Sequence, residues 1–143
     1  MARRIEPVRK GTEERLDDLL AGHREARLRN EGARYVARAI ESSDSLPNAV
    51  KFFAYALQAA ESQDEDQALE ALEKAEEYLP VAQKELGRRL ARELPELRFL
   101  ERGIALRSER AEFDEALRLC DLALSLGLGD AYARKRASLE RMT

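Results

Sequence analysis

Residues 46–61 constrain the fold more than any other stretch of this chain. Val50, Phe52, Phe53, Tyr55, Leu57 and five alanines leave almost no polar circumference. Between Ala49 and Ala60 only Lys51 and Gln58 interrupt it, seven residues apart and therefore on one narrow stripe. A helix that is apolar nearly all round must be enclosed by neighbours. The rest of the chain therefore has to wrap around 46–61, which is expected to be the central and most buried helix. Ser45 is a candidate N-cap for it, with Pro47 in its first turn.

The wrapping elements read as helices too. Hydrophobic residues make up 44% of the chain, mostly Ala and Leu, aromatics only 6%, and β-branched residues are scarce. That balance suits amphipathic helices and not a β-sandwich. The 143 residues suit one domain over 11–143, preceded by a flexible basic tail, 1–10, carrying Arg3, Arg4, Arg9 and Lys10. Thr12, followed by Glu13 and Glu14, reads as a helix start. Two helices are expected between 11 and 42, parted near Asn30–Gly32 because Gly32 costs helix stability; one bent helix is the alternative. Asp64 is a candidate cap with Gln67 three residues on, as in a capping box. Pro80 is expected to end that helix and start another over 80–93, and Pro95 to break the latter. Helices over 96–109 and 112–126 follow, the second closed by Gly127, and Asp130 caps a last one. The sum is seven or eight helices and no strand. Links of two to five residues make neighbours antiparallel.

Two segments repeat. Residues 49–80 and 96–128 each place an alanine early in a second helix, an apolar residue four on and another alanine three beyond. These are Ala68, Leu72 and Ala75 in one copy, and Ala116, Cys120 and Ala123 in the other. Small residues let two helices cross closely, and the larger one fills the groove between them. The pattern resembles the tetratricopeptide repeat, with Pro80 at the closing position and Phe113 where an aromatic is usual. The first-helix half is filled by Phe52, Tyr55, Ala56 and Ala59 in one copy and by Leu100, Gly103, Ile104 and Arg107 in the other. Ala68 and Ala116 are 48 apart, not the repeat's ~34. The excess is one extra helix, assigned to 80–93. The expected fold is an all-α, antiparallel helix-hairpin array, tetratricopeptide-like but irregular and compact.

Several functions find no residues. The single cysteine, Cys120, sits at an expected core position and forms no internal disulfide. His23 is the only histidine and reads as a helix-face residue, so neither a carboxylate–histidine metal site nor a zinc cluster can form. Gly127-Leu128-Gly129 follows a helix and reads as a turn, not a phosphate loop. No acid–base pair stands out, so no catalytic residue, cofactor or metal is expected and the chain reads as non-enzymatic. The longest apolar run, Phe52 to Leu57, falls far short of the ~20 residues of a membrane span. No secretory signal is visible, and the expectation is a cytoplasmic protein without membrane attachment.

The charges are uneven around a net of −3. Residues 61–77 are densely acidic. Lys84, Arg88 and Arg92 recur every four residues on one expected helix, and Arg98 and Arg102 on the next. Guanidinium forks suit carboxylate or phosphate. The resemblance adds that Arg98 and Arg102 match two basic positions at which peptide-binding tetratricopeptide proteins clamp a partner's C-terminal carboxylate. The matching positions of the first copy are apolar, among them Phe53 and Leu57, so half of that clamp is present. These five residues form the candidate partner-binding site of a protein-interaction module, an adaptor, scaffold or regulatory partner. The partner is a protein or peptide, an acidic one among the candidates. A homodimer joining the acidic stretch of one copy to the basic stripe of another is a further arrangement. The alternative is a nucleic-acid-associated helical protein using the basic tail, Arg24, Arg27, Arg29, Arg34, Arg38 and the stripe. The acidic balance and the lack of stacking aromatics beside the arginines count against it.

Overall fold

In the computed structural model, which describes residues 11–143, the apolar periodicities become seven α-helices and one 3₁₀ turn. They are α1 (Thr12–Leu28), α2 (Gly32–Glu41), the 3₁₀ turn (Ser43–Ser45), α3 (Asn48–Glu61), α4 (Glu65–Leu97), α5 (Phe99–Glu109), α6 (Phe113–Ser125) and α7 (Asp130–Glu140). There is no strand among the described residues. The basic segment 1–10 lies outside them.

The apolar helix is the centre, as its circumference requires. Phe52, Phe53, Val50 and Ala54 are wholly buried in α3, which packs against α1, α2, α4 and α5. Phe52 meets Phe53 and Phe99 edge-on at 5.1 and 5.5 Å between ring centroids, the arrangement that ring quadrupoles favour.

Three helices end in the same way. Asn30, Ala111 and Gly127 adopt left-handed backbones after α1, α5 and α6, with φ of 57°, 60° and 74°. In each case the N–H of that residue and the N–H of the one after it reach back to carbonyls of the last turn, as Glu31 to Ala26 (2.8 Å) and Leu128 to Ala123 (3.1 Å) do. The region 11–42 is thus two helices, and Asn30 makes the stop. Gly32 serves a different purpose: a Cβ there would lie 2.9 Å from Arg27 Cγ and 3.0 Å from Glu61 Oε2.

Helix starts differ from expectation. Gly11, Pro47 and Gly129 occupy the cap positions, and Thr12 and Asp130 are already helical. Gly129 has φ 113° and ψ 169°, a conformation essentially confined to glycine, so the cap falls on it and Asp130 moves inside. Ser45 belongs to the 3₁₀ turn, where its hydroxyl donates to the Ser42 carbonyl. Asp64 does cap, accepting from the Gln67 N–H at 3.0 Å. The Gln67 side chain accepts from Ser62 Oγ and so does not close the expected box.

Neither proline breaks α4. The helix continues through Pro80 and Pro95, both of them exposed, so water can satisfy the carbonyls they leave unbonded. The break is at Leu86, with φ −129° and ψ 29°. A straight helix of 33 residues would be about 50 Å long. Here the start of α4 follows α3 by only three residues, and Leu97 at its end lines one cavity with Glu61 of α3. Both ends therefore lie near the C-terminal end of α3, and α4 folds back as two limbs, 65–85 and 87–97. The second limb runs beside α1 in the same direction: Arg89 Nη2 is 2.7 Å from Asp17, and Leu97 reaches the cavity of His23 and Arg27. The extra helix expected over 80–93 exists, entered at Leu86 instead of Pro80.

The small-residue positions of the two similar segments are all buried, on the first limb of α4 and on α6. Gly103 of α5 sits where a Cβ would be 2.6 Å from Leu72 and 3.2 Å from Leu119. Cys120 is fully buried, and burial pushes its thiol pKa up. Ion pairs lace the outside: Arg107 to Glu73 (3.6 Å), Arg110 to Asp66 (2.9 Å) and Arg118 to Glu76 (2.6 Å). Much of the acidic stretch is thereby paired within the chain.

Candidate functional site

The buried face of α1 carries Leu16, Leu19 and Leu20 and then His23 at the same spacing, which turns the imidazole inward. His23 is 6% exposed, and its Nε2 lies 3.2 Å from Glu61 Oε1 in the last turn of α3. Arg27, one turn further, brings Nε to 3.5 Å from the same oxygen. Burial lowers the His23 pKa, and the Glu61 carboxylate only partly opposes this. The imidazole is therefore neutral near pH 7.

Arg102 of α5 closes the next side. Its Nη1 donates to the carbonyls of Ala60 (3.0 Å) and Ala59 (3.4 Å). A positive charge there complements the negative end of α3 and satisfies carbonyls that the helix leaves free. Arg98 joins α4 to α5 in a left-handed conformation, φ 55°, with Nη1 3.6 Å from Glu101. Together α1, α3, the end of α4 and α5 line a half-open cavity of about 330 Å³ in which Arg27, Arg98 and Arg102 face Glu61, Glu96 and Glu101.

A second cavity of about 290 Å³ adjoins the first, sharing Arg98 and Glu101. The end of α4, α5 and α7 build it, through Leu94, Leu100, Tyr132 and Lys135 among others. Burial first, and the Glu101 carboxylate next, raise the Tyr132 pKa, so its hydroxyl stays protonated.

The five arginine and lysine positions singled out in the sequence fall in two settings. Arg98 and Arg102 line the first cavity together. Lys84, Arg88 and Arg92 lie exposed on α4 and line neither cavity. The break at Leu86 falls between Lys84 and Arg88 and interrupts their common register. None of the three forms an ion pair among the described residues. Their neighbour Arg89 does, binding Asp17 and Glu93. His23, Tyr132 and Lys135 line these cavities without being singled out in the sequence as partner-binding residues, and Arg27 is named there only for the nucleic-acid alternative. The one available signal was the place of His23 on an apolar stripe.

Among the described residues no group of three or more His, Cys, Asp or Glu side chains is arranged to hold a metal ion. Within the same range no helix is long and apolar enough to cross a membrane. No protein-family model, curated protein or solved structure matches the chain.

Proposed function

We propose that the chain is a protein-interaction module that takes a peptide or protein partner along the groove formed by α1, α3, α5 and the end of α4. The observation that carries this reading is the convergence of Arg27, Arg98 and Arg102, from separate parts of the chain, on one cavity. The helix-hairpin pattern and its resemblance to tetratricopeptide repeats support it. The chain is read as non-enzymatic, as an adaptor, scaffold or regulatory partner, and a lone buried thiol suits the reducing cytoplasm. Arg102 also caps α3, so its reversal would disturb the fold. Arg27→Glu with Arg98→Glu is the cleaner test, because both side chains are mostly exposed. Affinity capture from host extract with mass spectrometry should recover a partner with the native chain and lose it with the double variant. Equal recovery by both chains would remove the groove from consideration.

One observation favours nucleic acid as the second reading: Lys84, Arg88 and Arg92 are exposed cations without ion pairs among the described residues. Binding that falls steeply with salt and is lost on reversing these three, but not Arg98, would support that class. A homodimer is less favoured, since Glu73, Glu76 and Asp66 already pair with arginines of the same chain.

A further inference from the structure

We propose that the cavity between the end of α4, α5 and α7 is an anchor pocket for one large apolar side chain of an acidic peptide. This rests on the interaction-module reading above and names the kind of partner. At about 290 Å³ the cavity is at the small end of ligand sites. It has room for a leucine- or phenylalanine-sized side chain. Its apolar lining comes from the buried Leu94 and Leu100 and the half-buried Leu128, with the half-buried Tyr132 and the exposed Pro95 beside them.

The rim has the opposite character. Arg98 stands on the α5 side and Lys135 on the α7 side, both exposed. Lys135 has no ion pair among the described residues, while the neighbouring Arg136 pairs with Asp121 and Glu140. Glu101 offsets Arg98 in part, at 3.6 Å. A net positive rim above an apolar floor complements an apolar residue flanked by Asp or Glu. The backbone at Arg98 points the same way. Its φ of 55° is a conformation that glycine adopts more cheaply, yet the position carries a long cationic side chain on the wall between the two cavities. A peptide anchored in the pocket lays its acidic flank between Arg98 and Lys135, whereas in the adjoining cavity Arg27 and Arg102 are already matched by Glu61, Glu96 and Glu101. The second limb of α4 supplies Leu94 and Pro95, so the pocket exists because α4 folds back at Leu86.

Short random peptides displayed on phage and selected against the full chain test this. The expected consensus is a Leu- or Phe-class residue beside at least one Asp or Glu. Two variants locate the contact. Ala131 lines the pocket from the exposed face of α7, so Ala131→Phe fills the cavity without entering the core. It should weaken the selected peptides by roughly tenfold or more, the scale of one lost buried side chain. Arg98→Gly should raise the melting temperature, by relieving the left-handed backbone, while weakening the same peptides. A consensus lacking the apolar residue, a basic consensus, or no selected peptide at all overturns the proposal, as does unchanged binding by Ala131→Phe. The wider interaction-module reading is judged separately, by capture with the Arg27 and Arg98 variants.

Discussion

Ala111 holds φ 60° where Asn30 and Gly127 hold the same conformation at two other helix ends. Asparagine and glycine tolerate it, but an alanine Cβ crowds the following carbonyl. Ala111→Gly should therefore stabilise the fold by roughly 0.5–1 kcal/mol, the relief of strain being partly offset by a more flexible unfolded chain. The urea midpoint, with an unchanged slope, measures this. His23 gives a pH dependence of definite sign. Its folded pKa lies below the usual 6.5, so the unfolded chain takes up the proton first. Stability is then complete above that value and declines as pH falls through about 6.5 and below. Glu61 from α3, Arg27 from α1, Arg98 just before α5, Arg102 within it, and Glu96 and Glu101 all face this cavity. His23→Gln keeps a partner for Glu61 and removes the titration. Between pH 7.5 and 5.5 its urea midpoint should fall less than that of the native chain.

Among elements, α3 was legible because its evidence is local: an apolar circumference needs no knowledge of the neighbours to imply burial. The limb 87–97 was legible only as an extra helix. Pro80 and Pro95 looked like stops, since sequence alone does not reveal that their free carbonyls face water. The true break at Leu86 arises from folding back, which buries Leu86, Leu90, Leu94 and Leu97, and that packing has no local signature. Gly87 follows the break, yet a Cβ there would meet nothing within 4 Å. Gly87→Ala should therefore stabilise by roughly 0.5–1 kcal/mol. A loss of stability would mean that the break depends on the glycine itself. The site divides in the same way. Arg98 and Arg102 could be found from their spacing. The pairing of His23 with Glu61 joins residues 38 apart, and only the packing of α1 on α3 brings them together.

At the scale of the whole molecule, arginines of α5, α6 and their link fasten the outer face of α4. Arg118 holds Glu76 through two hydrogen bonds, at 2.6 and 3.0 Å. The pair is partly exposed, so a double-mutant cycle with Arg118→Ala and Glu76→Ala should give a coupling of only about 0.5–1 kcal/mol. Added salt should diminish it. The fold-back at Leu86 has a consequence for amide hydrogen exchange. Limb 87–97 is held by three leucines, Leu90, Leu94 and Leu97, and the ion pairs of Arg89, whereas α3 is enclosed by four other helices. The limb can detach at Leu86 while α3 and residues 65–85 keep their mutual packing. Its amides then exchange through a partial opening of lower free energy, and those of α3 only through global unfolding. Since Leu94, Pro95 and Leu97 line the two cavities, the same excursion would open the groove and, under the proposed function, set how fast an occupant can leave.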